Sequence, residues 1–79
     1  MFMSQMIVVG KEMLRISPKN ACHIEYSSNG GRSWLVRYMG TTAGEFQDLQ
    51  ILGDEIIALT NKGTFYSKTQ GRSWLFRSR

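Results

Sequence analysis

Cysteine, histidine and proline each occur only once in this sequence of 79 residues, and two of these scarcities exclude common ways to stabilise a small protein. Cys22 alone cannot form an internal disulfide, and one cysteine with one histidine cannot supply the ligands of a structural zinc site. A chain of this length is near the lower limit for burying an adequate core by itself. We therefore expect it to be stabilised by a partner chain.

Long apolar runs and targeting signals are also missing. No apolar run approaches the roughly 18 residues that a membrane-spanning helix requires. The N-terminal stretch MFMSQMIVVG has no basic region, and its apolar core is too short for a secretory signal. These absences predict a cytoplasmic protein, in agreement with the unpaired cysteine. The hydrophobic share of 42% and the charged share of 20% indicate one folded domain over residues 1–79.

The sequence does contain a repeat. GRSWL occurs at residues 31–35 and again at 71–75, a separation of 40. Upstream of it, VVGKEMLRIS at 8–17 aligns with ILGDEIIALT at 51–60, a separation of 43. The difference reflects three extra residues in PKNACH relative to NKG. The sequence therefore predicts a duplicated unit of about 40 residues.

Each unit predicts four short strands. The first unit, at about 5–40, contains QMIVV, MLRIS, CHIEYS and SWLVRYM, and the second, at about 45–79, contains FQDLQIL, IIALT, TFYSK and SWLFR. Turn residues separate these β-branched and aromatic segments. GEFQDLQIL also has helical spacing, but its alignment with MSQMIVV favours a strand. The expected fold is all-β, with two four-stranded antiparallel units of the kind that form β-propeller blades.

Two segments, SSNGGRSW at 27–34 and SKTQGRSW at 67–74, are called the first and second box segments below. They resemble the Asp-box or BNR repeat of sialidase-like β-propellers, whose pattern is Ser-x-Asp-x-Gly-x-Thr/Ser-Trp. The resemblance departs at the aspartate, where Asn29 and Thr69 stand. Asparagine accepts a hydrogen bond from turn amides and threonine does so less well, which predicts a turn that is kept in both units and is looser in the second.

In that family the box is a hairpin turn between the third and fourth strands of a blade. Its serines bond to the turn backbone, its glycines adopt positive φ, and its tryptophans cover apolar surface between blades. The resemblance thus implies a structural role for ten residues: Ser27, Asn29, Gly31, Ser33, Trp34, Ser67, Thr69, Gly71, Ser73 and Trp74.

Two blades do not close a propeller, which typically has about 4 to 8. A monomeric sandwich of two sheets is the alternative, but MIVV, LQIL and IIAL are apolar on both faces, as expected for sheets that are covered on both sides. We favour a ring completed by self-association, with a six-bladed trimer ahead of a dimer or a tetramer. Two-blade lectins of plant-pathogenic bacteria are similar in design. The alternative that the chain is a piece of a longer propeller also stays open.

The resemblance also places a ligand site. In sialidase-like propellers the site surrounds the channel at the end opposite the boxes, and the loops at that end carry polar residues here. This predicts a non-enzymatic, lectin-like module that binds a sugar or another polar ligand without a cofactor or metal. The candidate binding residues are Lys19, Asn20, His23, Thr41, Thr42, Glu45, Asn61 and Lys62.

Catalysis is not expected. The sequence shows no assignable sialidase set of arginine cluster, tyrosine nucleophile with its glutamate, and acidic proton donor. Tyr26 and Glu25 are adjacent in a strand and so point to opposite faces. The six acidic residues supply no glycosidase pair. Glu12 and Glu55 are repeat equivalents in tight turns, and we interpret them as solvated.

Charge gives a second hypothesis. Ten basic and six acidic residues leave a net charge of +4, and four arginines recur at equivalent positions of the two units. Such a band could bind nucleic acid, an acidic protein or an anionic glycan. Trp34 and Trp74 are already needed for packing and are not free to stack on bases, which disfavours nucleic acid. The arginines concerned are Arg32, Arg37, Arg72 and Arg77.

Overall fold

A computed structural model describes residues 5–78, and over these residues the chain forms strands without any helix. All eight predicted strands are present, so the all-β prediction is confirmed. The stretch with helical spacing is a strand, β5. The strands are β1 (Met6–Val9), β2 (Glu12–Ile16), β3 (His23–Ser27), β4 (Leu35–Met39), β5 (Phe46–Leu52), β6 (Glu55–Thr60), β7 (Gly63–Ser67) and β8 (Leu75–Ser78).

The strands form two four-stranded antiparallel sheets, and in each sheet neighbours in sequence are neighbours in space. This meander sends the connections to two opposite ends. The box end carries the two box segments and the short turns before β2 and β6. The loop end carries the connections at 17–22, 40–45 and 61–62. All eight candidate binding residues therefore lie at the loop end.

The strand register is the same in the two sheets, so the repeat of the sequence is also a repeat of the structure. A register shift also recurs at the equivalent place in the β3–β4 and β7–β8 pairs. Residues that face each other on neighbouring strands of the first sheet correspond to facing residues of the second sheet, at the separations of 43 and 40 found in the sequence. Ile7–Leu14 recurs as Gln50–Ile57, Leu14–Tyr26 as Ile57–Tyr66, and Tyr26–Leu35 as Tyr66–Leu75.

One face of each sheet is buried, and the two buried faces share a single core. The first sheet contributes Ile7, Leu14, Ile16 and Ile24, and the second contributes Leu49, Ile56, Ala58 and Phe65. Phe46 lies between them, with its ring centroid 5.9 Å from that of Tyr38 and 5.2 Å from that of Trp74. Aromatic side chains at the start of β5 and the end of the second box segment thus pack between the two sheets.

The opposite face of each sheet is open. The first open face, on the first sheet, carries Met6, Val8, Met13 and Trp34; the second open face, on the second sheet, carries Leu52, Ile57, Leu59 and Tyr66. Met6 is 48% exposed and Leu52 is 64% exposed. The sequence predicts that both faces of the apolar strands are covered. In the described residues each sheet packs against the other sheet on one face only, because these residues form no third sheet that could pack on the other face.

Candidate functional site

The box segments form two hairpin turns built on the same hydrogen bonds. Ser27 Oγ accepts a bond from the Gly31 amide at 2.9 Å, and Ser67 Oγ accepts the equivalent bond from the Gly71 amide at 2.9 Å. The hydroxyl therefore closes each turn by satisfying an amide four residues further along the chain.

The residues that replace the expected aspartate take over its role as acceptor. Asn29 Oδ1 accepts a bond from the Ser33 amide at 3.1 Å, and Thr69 Oγ1 accepts one from the Ser73 amide at 2.9 Å. The turn is kept in both units, as expected. The bond to Thr69 is no longer than the bond to Asn29, whereas the hydroxyl of the box serine lies 2.8 Å from Asn29 Oδ1 and 3.3 Å from Thr69 Oγ1.

The glycines and tryptophans of the boxes also behave alike. Gly31 and Gly71 have φ of 93° and 90°, a region that favours glycine. Trp34 and Trp74 each donate an Nε1–H bond of 3.1 Å to the carbonyl of their own box glycine. Trp74 is buried in the core between the sheets, whereas Trp34 is half-buried on the first open face beneath the Arg15 guanidinium.

Arg37 is the most enclosed of the four candidate arginines, with a side chain that is 5% exposed. Its Nη1 and Nη2 donate to both carboxylate oxygens of Glu12, at 2.7 and 2.9 Å, and its guanidinium lies 3.9 Å from the centroid of the Tyr26 ring. Nη1 also donates to the Gln70 carbonyl of the second box segment at 3.2 Å. Arg37 thus connects β4 with the start of β2 and with the second box segment.

Arg77 repeats this arrangement on the open side of the second sheet. Its Nη2 lies 2.9 Å from Glu55 Oε1, and its guanidinium lies 4.2 Å from the Tyr66 ring centroid. The side chain is 39% exposed. Of the four arginines proposed to meet an anionic partner, Arg37 and Arg77 therefore pair with carboxylates of their own chain, while Arg32 and Arg72 are exposed.

The sequence interpretation treats Glu12 as solvated, whereas the structure pairs its carboxylate with Arg37. The bidentate bond from Arg37 lowers the pKa of Glu12, and the positive charge of the nearby Arg72 adds to this effect. The same bond raises the pKa of Arg37. The available signal was the joint recurrence of this glutamate and arginine in both units.

Four of the candidate binding residues are brought together at the loop end. Asn61 Oδ1 accepts a bond from the Glu45 amide at 2.7 Å, and the Asn61 amide donates to the Glu45 carbonyl at 3.1 Å. Lys62 Nζ donates to the Thr41 carbonyl at 3.2 Å. The amide oxygen of Asn61 and the ammonium of Lys62 therefore hold the 40–45 connection against the β6–β7 turn.

The other four candidates lie in and beside the 17–22 connection, except Thr42, which lies in the 40–45 connection. Asn20 Oδ1 accepts a bond from the Cys22 amide at 2.9 Å, so it too shapes its own loop. The Phe46 amide donates to the Ala21 carbonyl at 2.9 Å, which ties this loop to β5. Lys19, Asn20 and Thr42 are exposed, and His23 is half-buried.

A cavity of about 350 Å³ lies at the other end of the molecule. It is located between Val9 of β1 and Ile51 of β5, beside a pair formed by Lys68 Nζ and Glu55 Oε2 at 3.7 Å. None of the eight candidate binding residues lines it. The cavity is therefore distinct from the ligand site that the family resemblance implies.

Comparison of the chain with protein-family profiles, with curated protein sequences and with solved structures finds no match in any of the three. The resemblance to Asp-box propellers stays a prediction based on the two box segments. Over residues 5–78, no group of three or more histidine, cysteine, aspartate or glutamate side chains is placed to hold a metal ion. The same residues include no helix long and apolar enough to cross a membrane.

Replacement of Gly44 by alanine should disturb the loop-end cluster. Gly44 has a φ of 80°, and an added Cβ would overlap Asn61 Oδ1 and lie 3.0 Å from Lys62 Cγ. Gly10 is a matched control, since it has a φ of 62° with open space around its Cβ position. Gly10→Ala should lose about 1–2 kcal/mol of unfolding free energy through backbone strain alone. Gly44→Ala should lose more unfolding free energy than Gly10→Ala and should shift the NMR resonance of the Glu45 amide. Equal urea midpoints for the two variants would contradict the proposed role of Asn61.

The Glu12–Arg37 pair should make stability depend on pH. Because the folded pKa of Glu12 lies below its ordinary value of 4.5, the stabilisation is present above that value and is lost as the pH falls through the folded pKa. Glu12→Gln should therefore destabilise the protein at pH 7, and its difference from the wild type should shrink at pH 3. Urea unfolding at both pH values measures this, with Glu45→Gln in the exposed loop as the control. A difference that is the same at both pH values would exclude the titration of Glu12 as its cause.

Proposed function

We propose that this chain is a non-enzymatic binding module in which several copies complete a closed ring of β-propeller blades, with a six-bladed trimer as the favoured assembly. One observation carries the proposal. The two open faces are the repeat equivalents of the two faces that pack together inside the chain.

The equivalence can be followed residue by residue. Ile57 and Leu59 on the second open face occupy the places of the buried Leu14 and Ile16. On the first open face, Met6, Met13 and Trp34 occupy the places of the buried Leu49, Ile56 and Trp74. Apolar faces of this kind are characteristic of interaction surfaces, because their exposure to water is unfavourable.

A ring would bring the loop ends of its subunits together around one channel mouth. We propose that this mouth binds a polar ligand such as a glycan through exposed side chains of the loop end. The fixed backbone supports the proposal, because a site that is ordered before binding loses less conformational entropy on binding. Pairing of Arg37 and Arg77 with glutamates reduces the support for the alternative, a basic surface that binds nucleic acid or an acidic protein.

The assembly predicts the mass of the protein in solution. Light scattering coupled to gel filtration should give about 27 kDa, three times the 9.0 kDa of one chain. A mass of two or four chains would keep the ring and change the number of blades to four or eight. A mass of one chain at high protein concentration would contradict the proposal.

The position of the proposed binding site predicts which substitutions weaken ligand binding. On a glycan array, the assembled protein should bind a subset of glycans, and Thr42→Ala and His23→Ala should each weaken this binding. Asn61 is unsuitable for the test because its side chain holds the loop. Lys11→Ala and Asp54→Ala, in the exposed turns of the box end, should leave the binding unchanged. Binding that is lost in the box-end variants and kept in the loop-end variants would move the site to the opposite end.

A further inference from the structure

We propose that the copies pack head to tail, so that the second open face of one copy covers the first open face of the next, and Arg77 donates a hydrogen bond to the backbone carbonyl of Gly30 in that next copy. This inference rests on the proposed function, because it requires that the chain self-associates. It adds the polarity of the contact and the residues that form it.

The hydrogen-bond donor of this contact, the Arg77 guanidinium, is held in position by its own chain. Arg37, the repeat equivalent of Arg77, crosses from the first sheet to the second box and donates to the Gln70 carbonyl. Arg77 has the same two supports as Arg37, a glutamate partner in the preceding β-turn and a tyrosine ring beneath its guanidinium. The two differ in exposure, since the side chain of Arg37 is enclosed by the neighbouring sheet and that of Arg77 is open on that side. A guanidinium held in this way loses little further freedom on binding.

The acceptor side is equally preformed. Gln70 and Gly30 are repeat equivalents, and both have positive φ, at 60° and 77°. Each lies in a turn closed by the same bond, in which the box serine Oγ accepts from the glycine amide, so the two peptide groups have similar backbone geometry. The carbonyl of Gly30 is thus presented on the first open face as that of Gln70 is presented to Arg37.

The glycine after this carbonyl shows how closely the next copy can approach. A Cβ added at Gly71 would lie 3.3 Å from Leu14 Cδ1 and 3.8 Å from Ile24 Cγ2, so the second box packs directly on the first sheet. Around Gly31, the nearest atoms to an added Cβ belong to Trp34 and Met13 of its own sheet. Beside Gly31 none of these nearest atoms belongs to the other sheet, and Ile57 of the next copy is the residue equivalent to Leu14.

Charge favours the same pairing of faces. Arg72 of the second box acts electrostatically on Glu12, the partner of Arg37. Arg32 of the first box is its equivalent, and it would approach Glu55, the partner of Arg77, in the neighbouring copy. A cation from the box segment of one copy thus meets a carboxylate beside the guanidinium of the other, which adds electrostatic complementarity to the contact.

Polar residues have replaced apolar ones on both open faces. Where the second sheet buries Ala58 and Phe65, the first open face carries the ion pair of Arg15 and Glu25, with Nε and Oε1 2.7 Å apart. The second open face has matching changes, with Gln50 in the place of Ile7 and Thr64 in the place of Ile24. The contact between copies is therefore more polar than the contact within a chain, as in protein interfaces that form and dissociate.

Because two different faces meet, the contact is heterologous, and it grows into a closed ring when the rotation between copies is right. An isologous contact would instead pair each face with its own copy. The two arrangements respond differently to a block on one face, and this difference provides the test.

The test blocks one face at a time with a buried charge. Ile57→Glu blocks the second open face at the position equivalent to the fully buried Leu14, and Met6→Glu blocks the first at the position equivalent to Leu49. Each variant alone should be monomeric by native mass spectrometry and sedimentation, with the circular dichroism of the wild type. An equimolar mixture should form a two-chain complex of about 18 kDa, twice the mass of one chain, because each partner keeps one intact face.

The outcomes separate the two proposals. A monomeric wild type would contradict self-association itself. An assembled wild type together with a blocked variant that still dimerises alone would show an isologous contact and overturn the head-to-tail arrangement. A mixture of the two variants that stays monomeric would also overturn it.

Arg77→Lys tests the hydrogen bond without placing a charge in an apolar contact, so it remains decisive if a blocked variant does not fold. Lysine keeps the charge but lacks the planar fork that holds Glu55 and reaches the carbonyl, and loss of one charge-assisted bond should raise the dissociation constant of the assembly about tenfold. Lys68→Ala is the control, because it removes the other cation beside Glu55 at a position whose equivalent, Ser28, is exposed within the chain. An unchanged dissociation constant for Arg77→Lys would overturn the proposed bond.

Discussion

Packing of Leu14 and Ile24 against the second box segment joins the two sheets into one core. The contact is close because Gly71 has no side chain, and its positive φ turns the backbone over the first sheet. Trp74 binds the Gly71 carbonyl through its indole N–H and so covers the same surface. The second box segment is consequently both a local turn and part of the core packing, so a substitution that disturbs the turn also disturbs the core.

Duplication gives every part of this contact a second copy, but one chain can use only one set. Leu14, Arg37 and Gly71 are engaged within the molecule, whereas their equivalents Ile57, Arg77 and Gly31 face away from the other sheet. In the proposed assembly, these equivalents would form the donor face and the acceptor face of the contact between copies. Such a chain is unlike a symmetric sandwich, whose two outer faces have no reason to be complementary.

Much of the fold could be predicted because its signals are local. Short apolar segments between turn residues predicted all eight strands, and alignment with the first unit assigned β5 correctly despite its helical spacing. The registers of the two sheets are equivalent under the same alignment. The serine bonds and the positive φ of the box glycines were implied by the resemblance to the Asp-box pattern, which the residue types fit.

The contacts between distant segments could not be predicted in this way. Arg37 and Glu12 are 25 positions apart, and their pairing depends on how β4 comes to lie over the β1–β2 turn. Asn61 lies among the candidate binding residues because it is polar, yet its oxygen is bonded to the Glu45 backbone. Polarity alone does not distinguish a side chain that is available to a ligand from one that satisfies a turn.

The two ends of the sheets consequently have different tasks. At the box end the side chains close turns and join sheets, so a substitution there affects the core. At the loop end the backbone is fixed by Asn20 and Asn61, while Thr42 and Glu45 remain exposed on the fixed frame. In the proposed ring each loop end would recur once per copy, and several weak contacts to one branched ligand would add through their high effective concentration. In that ring a chain of 79 residues would bind the ligand through contacts that recur in every copy, without using the cavity at its box end.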